Sequence, residues 1–152
     1  MPSAAPSQLP TTSLPSEAPS ESAAPTFEAR MNLKQIVLNL TERVTTSSEL
    51  AAEFLVQTAT DRDIERLSQT DNLETLKQQY ALLALDIATS GMEEPTIATS
   101  SGLRVECLWE NVDCEDRVVT GVRWMEQNRS GSIPVELGLL SEVSHLDLGA
   151  NQ

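Results

Sequence analysis

Apolar residues recur at helical spacing through the middle of the chain, between residues 27 and 91. The first stripe falls at positions i, i+3, i+4, i+7 and i+11, on one face of a helix, and comprises Leu33, Ile36, Val37, Leu40 and Val44. Thr46 and Glu49 then match a capping box, whose side chains bond to backbone N–H groups and open a second helix. The inward positions of that helix are expected to be Leu50, Phe54 and Leu55.

A third helix is predicted to begin at Asp71, which forms a similar capping pair with Glu74. Its apolar stripe comprises Leu73, Leu76, Tyr80, Leu83 and Ile87. Gly91 is expected to end the helix, because glycine readily takes the left-handed conformation that follows a helix C-terminus. The Thr/Ser-rich residues 92–105 predict an irregular loop.

The last third of the chain repeats itself with a fixed offset. Val122 and Leu146, Trp124 and Leu148, and Gln127 and Asn151 are each 24 positions apart. Such a pattern predicts short parallel strands whose alternating apolar side chains point inward. The Asn side chain would satisfy backbone groups where the chain turns out of the strand. The period lies in the range of leucine-rich repeats.

Two motifs in this region carry a family resemblance. Cys107, Trp109, Val112 and Cys114 fill a cap pattern, and a repeat pattern is filled by Ser130, Gly131, Ile133, Pro134, Glu136, Leu137, Gly138 and Leu140. The segment resembles the N-terminal cap and first repeats of plant-type leucine-rich repeat proteins. The helix that ends at Gly91 also resembles the segment before the cap in receptor-like or secreted members of the family from diatom-like algae.

The first repeat departs from the family pattern at several positions. Asn111 stands where the cap has Gly, a mild change because Asn tolerates the left-handed conformation. Gln127 replaces the Asn of the repeat, Arg129 replaces an apolar residue, and Trp124 is bulky for a strand core. Terminal repeats are commonly degenerate in this way.

The resemblance implies a disulfide bond between Cys107 and Cys114, the only cysteines of the chain. Two alternatives stay open. The cysteines could be free buried thiols in a reducing compartment, or metal ligands, although a metal site would need two more ligands and the chain has a single histidine.

Stacking the two repeats by their offset defines an outer sheet face, the concave face of the family. It places Gly121 beside His145, Arg123 beside Asp147, and Met125 beside Gly149. The resemblance implies that a protein, peptide or glycan ligand binds to this face, with Arg123, Met125, His145 and Asp147 as the candidate binding residues. Arg123 and Asp147 are also expected to form a lateral ion pair.

Composition narrows the classes of partner. The formal net charge is −13, from 23 acidic and 10 basic residues, which argues against nucleic acid and anionic membranes. No apolar run is long enough to span a membrane. Residues 1–26 hold six of the eight prolines and no Lys or Arg, which predicts a disordered stalk that lacks the pattern of a secretory signal.

Catalysis has little support in these residues. His145 has no accompanying nucleophile motif, and no cofactor-binding or metal-binding motif is present, so we expect a non-enzymatic protein without a cofactor. The chain contains two N-glycosylation sequons, at Asn128 and Asn39. Asn128 is the better candidate, because Asn39 lies in a predicted helix.

The sequence therefore predicts an α+β or α/β chain in four parts: a stalk over residues 1–26, a helical segment over 27–91, a cysteine cap over 92–117 and two incomplete repeats over 118–152. The expected function is non-catalytic recognition at the cell surface or outside the cell, by a fragment of a longer receptor-like protein. The alternative is an intracellular helical adapter or scaffold in which the repeats are a vestigial stub.

Overall fold

A computed structural model describes residue 3, residues 26–97 and residues 105–152. The predicted stalk, apart from positions 3 and 26, therefore lies outside the described residues, as do positions 98–104 of the predicted loop. The described chain is α+β, with four helices followed by a small three-stranded sheet that does not close. This confirms the predicted order of a helical segment followed by short strands.

The four helices are α1 (Phe27–Leu38), α2 (Thr46–Thr58), α3 (Asp61–Leu67) and α4 (Leu73–Ser90). The short helix α3 was absent from the sequence prediction because seven residues carry too brief an apolar stripe. Its capping box, formed by Thr60 and Asp63, was the available signal.

The predicted stripe of the first helix is wrong at its C-terminal end. Helix α1 ends at Leu38, so Leu40 and Val44 lie beyond it, and the Val44 side chain is 51% exposed. Leu33 and Val37 are fully buried, as expected. Helical periodicity continued by chance through a turn that leads to α2.

The predicted capping boxes were also misplaced. The N-cap of helix α2 is Thr45, one residue before the predicted Thr46, and its capping partner is Ser48. The backbone at Thr45 is extended, so its hydroxyl can accept a hydrogen bond from the Ser48 N–H. The predicted Asp71 and Glu74 pair does not cap α4, which follows a 3-10 turn at Thr70–Asn72 without a side-chain cap. Gly91 is left-handed with φ of 70°, as predicted.

The sheet contains β1 (Val112–Glu115), β2 (Val118–Arg123) and β3 (His145–Asp147), in that order. Strands β1 and β2 are antiparallel, whereas β2 and β3 are parallel. Gly121 aligns with His145 and Arg123 with Asp147. The 24-residue sequence offset is therefore the register of the parallel pair.

Helix α4 forms the centre of the core. It packs against α2 and against a 3-10 turn at Val135–Leu139. Tyr80 and Leu83 of α4 belong to the same buried cluster as Val122 and Trp124 of the repeats. The helical segment and the repeats thus share one continuous core.

Candidate recognition face

Three strands bring exposed polar side chains together on the outer sheet face. Asp113 of β1, Gly121 of β2 and His145 of β3 form one row across the sheet. Arg123 and Asp147 form the next row, and Met125 follows with a half-exposed side chain. The sheet therefore brings together the four predicted binding residues and adds Asp113, which the sequence analysis did not single out.

Gly121 lies between Asp113 and His145 in this row and is itself buried. A Cβ atom at this position would lie 3.1 Å from Asp113 Oδ2 and 3.4 Å from His145 Cβ. Because glycine lacks that atom, the Asp113 side chain can approach the β2 backbone closely. The face therefore presents a carboxylate and an imidazole as neighbours across β2.

The expected ion pair between Arg123 and Asp147 is replaced by a different one. Arg123 Nη2 lies 2.6 Å from Asp113 Oδ1, across the antiparallel pair rather than the parallel one. Asp147 Oδ1 instead accepts a hydrogen bond from the Gly149 N–H at 2.9 Å. Because both side chains of the Arg123–Asp113 pair are about half exposed, the pair contributes less than about 1 kcal/mol to stability.

Asn151 holds the turn at the end of the first repeat, as the repeat pattern predicts. Its Oδ1 accepts the N–H groups of Gln127 and Arg129 at 3.1 and 3.0 Å. Its Nδ2 donates to the carbonyls of Trp124 and Leu148 at 2.6 and 2.8 Å. All four bonding positions of the amide are used, so Asn151 fixes the exit from β2 and with it the outer sheet face.

The disulfide bond between Cys107 and Cys114 is present. It joins the 3-10 turn at Glu106–Leu108 to β1, and so anchors the strand that carries Asp113. Asn111 takes the left-handed conformation with φ of 61°, which agrees with its replacing a glycine of the cap pattern.

A buried ion pair behind the sheet was missed in the sequence. Arg129 Nη1 lies 2.7 Å from Asp86 Oδ1 of α4 and donates to Thr89 Oγ1 at 3.0 Å. The Arg129 guanidinium also lies 4.1 Å from the centroid of the Trp124 ring. The available signals were an acidic residue inside the apolar run of α4 and an Arg at an apolar repeat position.

A second buried carboxyl connects α4 to the cap. Glu106 is 3% exposed and accepts from the side-chain amides of Gln78 and Gln79. Burial raises the pKa of the Glu106 carboxyl above its usual range. The side-chain Oε1 of Gln78 accepts a hydrogen bond from the Val119 N–H at 2.5 Å, so the polar positions of α4 orient both the cap and β2.

Glu136 is a third buried carboxyl, in the 3-10 turn that packs against α4. Its side chain is fully buried, and neither carboxylate oxygen has a hydrogen-bond partner among the described residues. Burial, followed by the charge of Glu136, raises the pKa of the Tyr80 hydroxyl on α4. Since Glu136 lies in the core, it is not part of the outer sheet face.

Both sequon asparagines are exposed. Asn128 lies in the turn after β2, where its Oδ1 accepts from Gln152 Nε2 at 2.7 Å. Asn39 is the C-cap of α1 rather than an interior helical residue. Both side chains are accessible, so exposure does not show which asparagine is the better candidate for N-glycosylation.

Comparison of the chain with protein-family models, with curated proteins and with solved structures gives no match. Among the residues that the structure describes, no group of three or more His, Cys, Asp or Glu side chains could hold a metal ion. No helix within these same residues is long and apolar enough to cross a membrane.

Proposed function

We propose that this chain is a non-catalytic recognition module, the cap and first repeats of a plant-type leucine-rich repeat protein. Its outer sheet face binds a protein, peptide or glycan ligand at the cell surface or outside the cell. The parallel register of β2 and β3, the Asn151 bonding pattern and the bonded cap cysteines support the family assignment.

The row formed by Asp113, Gly121 and His145 across the three strands is the observation that carries the binding role. Asp113 and His145 stand on either side of Gly121, and exposed Arg123 and Met125 extend the same face. These groups offer a donor, acceptors and an apolar contact within one small area. Asp113, Arg123 and His145 lie on the three strands rather than in loops, which suits a preorganised binding surface.

Arrays of synthetic peptides and of glycans, probed with the tetramerised chain, would test this role. We expect hits that bind the wild type and lose roughly tenfold or more in affinity on Arg123→Glu or on Gly121→Leu, since one reverses a charge and the other displaces the Asp113 and His145 side chains. Arg62→Glu, an exposed charge reversal on α3, is the matched control. Equal loss in the control, or no loss in the face variants, would refute the assignment.

One observation favours the alternative of a helical adapter. Phe27 and Met31, one turn apart on α1, are 81% and 48% exposed, so an apolar strip is available to a partner. The redox state of the cysteines distinguishes the two functions, since disulfides persist mainly in oxidising compartments. We expect mass spectrometry of the non-reduced native protein to show the Cys107–Cys114 bond, and two free thiols would favour the adapter.

A further inference from the structure

A groove lies between the turn that follows α1 and the 3-10 turn at Val135–Leu139. Its cavity has a volume of about 370 Å³, which lies in the range of sites that hold small ligands. The residues that line it include Leu40, Thr41 and Arg43 on one wall and Val135 and Leu139 on the other. Neither wall belongs to a strand, so the groove is separate from the outer sheet face.

Apolar side chains at this groove stay in contact with water. Val135 is 52% exposed, and Val44, which follows the lining residue Arg43, is 51% exposed. Leu40 and Leu139 are only partly buried. A group that packed into the groove would therefore remove apolar surface from water.

The sequon at Asn39 adjoins this groove. Its second and third residues, Leu40 and Thr41, line the cavity themselves. Asn39 is exposed and is the C-cap of α1. Its Oδ1 accepts a hydrogen bond from Gln35 Nε2 at 3.0 Å, a contact that uses the amide oxygen rather than Nδ2, the atom to which an N-linked sugar is attached. A sugar at Asn39 would begin one residue away from the groove.

We propose that Asn39 carries an N-linked glycan whose first sugar rings pack into this groove. The sugar comes from a polyisoprenoid pyrophosphate donor. The bond from Asn39 Nδ2 to sugar C1 forms, the bond from C1 to the pyrophosphate oxygen breaks, the amide loses one proton, and the lipid pyrophosphate leaves. The inference rests on the proposed location outside the cell, because N-linked glycans are carried by secreted proteins.

The chemistry of the groove and the position of the sequon favour a glycan as the occupant. The C–H faces of sugar rings are apolar and match Leu40 and Val135. Sugar hydroxyl groups can accept hydrogen bonds from the Arg43 guanidinium and donate to the Glu42 carboxylate, both of which lie at the groove and are exposed. The attachment at Asn39 makes the contact intramolecular, so a weak contact for each ring suffices to hold the sugar in place.

Glycopeptide mass spectrometry of the protein purified from its native source tests the modification. We expect the mass of a glycan on the peptide that contains Asn39, in molecules that also carry the Cys107–Cys114 bond. The disulfide bond together with an unmodified Asn39 would overturn this inference and leave the proposed function standing. Two free thiols together with an unmodified Asn39 would count against both.

A double-variant cycle tests where the sugar lies, in the full chain secreted from a eukaryotic host that adds N-linked glycans. Asn39→Gln removes the attachment site, and Val135→Gln makes the groove polar while the sugar stays. Each single variant should speed hydrogen exchange in residues 40–44 by roughly threefold or more, because the turn loses its cover. The double variant should exchange no faster than the single variants, since both changes remove the same contact.

Asn128→Gln is the matched control, because it removes the other sequon, in the turn after β2. Its effect and that of Val135→Gln should add, and circular dichroism checks that every variant keeps the fold. Additive effects of Asn39→Gln and Val135→Gln, or no change in exchange on Asn39→Gln, would place the sugar in solvent and overturn the inference. Slow exchange of residues 40–44 in native protein with an unmodified Asn39 would mean that a partner protein covers the groove, and would overturn it too.

Discussion

Arg129 and Asp86 join the first repeat to the helical segment through a fully enclosed contact. Their side chains are 8% and 0% exposed, so both charges have lost their hydration. Asp86 is compensated by Arg129 and by the backbone N–H groups of Thr96 and Ile97. Such a pair adds little net stability compared with an apolar pair, but the loss of one partner leaves the other charge buried and uncompensated.

We therefore expect Arg129→Met to lower the free energy of unfolding by about 3–5 kcal/mol. The same change at exposed Arg62 should alter it by less than about 0.5 kcal/mol. Urea unfolding followed by circular dichroism measures both values. An equal change in the free energy of unfolding at the two positions would mean that the buried Asp86–Arg129 pair is not what Arg129→Met disrupts.

The double variant Asp86→Asn with Arg129→Met tests whether the loss of stability in Arg129→Met arises from the buried, unpaired charge of Asp86. Because no unpaired charge remains, the double variant should lose clearly less than the sum of the two single variants. Strict additivity would mean that Arg129 acts through its stacking on Trp124 instead.

The raised pKa of Glu106 makes stability depend on pH in a defined direction. A carboxyl whose folded pKa lies above its unfolded value of roughly 4.3 contributes stability that is fully present below that value and lost as the pH rises through the folded pKa. Glu106→Gln stays neutral at every pH. Its free energy of unfolding relative to the wild type should therefore rise as the pH increases above about 4, measured by urea unfolding.

The charge removal Glu110→Gln, at an exposed position of the same cap, is the matched control for net charge. If the Glu106→Gln difference were independent of pH, or moved in the other direction, the pKa of Glu106 would not be raised in the folded protein.

Single residues differ in how far the sequence could predict them. The bonding of Asn151 and the cysteine pair followed from local motifs, because both were expected from the repeat and cap patterns that this segment resembles. Asp86 and Arg129 are 43 positions apart, so each appears in the sequence only as an anomaly in its own apolar pattern. No spacing rule joins them, and only the packing of α4 on the repeat identifies the pair.

At the scale of elements, Gly131 shows how closely the repeat approaches α4. Its φ is +115°, and a Cβ atom there would lie 2.3 Å from the Ala88 carbonyl oxygen. Gly131→Ala should therefore destabilise the protein by about 3 kcal/mol or more, through backbone strain and overpacking. Gly138→Ala is the matched control, since a Cβ atom there meets nothing within 4 Å.

Thermal unfolding of the two variants compares them directly. A large loss for Gly131→Ala beside a small change for Gly138→Ala would support the close approach. Similar losses of stability in the two variants would mean that the repeat can move away from α4 without a loss of free energy.

The elements were predicted to different degrees for physical reasons. The register of β2 and β3 followed from the 24-residue offset, because a repeat fixes which residues lie side by side. Helix boundaries were less predictable, because the exposed Ile36 and Val44 continue the stripe of α1 as buried residues would. Strand β1 was not predicted, since its pairing with β2 depends on a turn rather than on a repeat.

At the scale of the molecule, the helical segment and the repeats share one core, so neither is expected to fold without the other. Trp124 and Val122 of the repeats are buried in the same cluster as Tyr80 and Leu83 of α4. The helical segment therefore covers the side of the sheet opposite the outer sheet face. A boundary at Gly91 separates chain segments by pattern, but it does not separate independent cores.

The apolar side chains at the C-terminal end of the repeats, around β3, are buried much less completely. A solenoid repeat buries its apolar face only against a neighbour. On β3 and in the residues that flank it, Val143, Leu146 and Leu148 keep part of their surface exposed. Opening near residue 150 should therefore need less free energy than opening of the α4 core.

Appending two or three consensus 24-residue repeats and a polar terminal cap should relieve this exposure. The first added strand would pair with Leu146 and bury the apolar residues of β3, so the melting temperature should rise and hydrogen exchange at the Leu146 amide should slow. Adding a flexible polar segment of equal length controls for chain length. If the extended protein melts at the same temperature and its Leu146 amide exchanges at the same rate, the end of the sheet is already stable, and repeats would not be its natural neighbours.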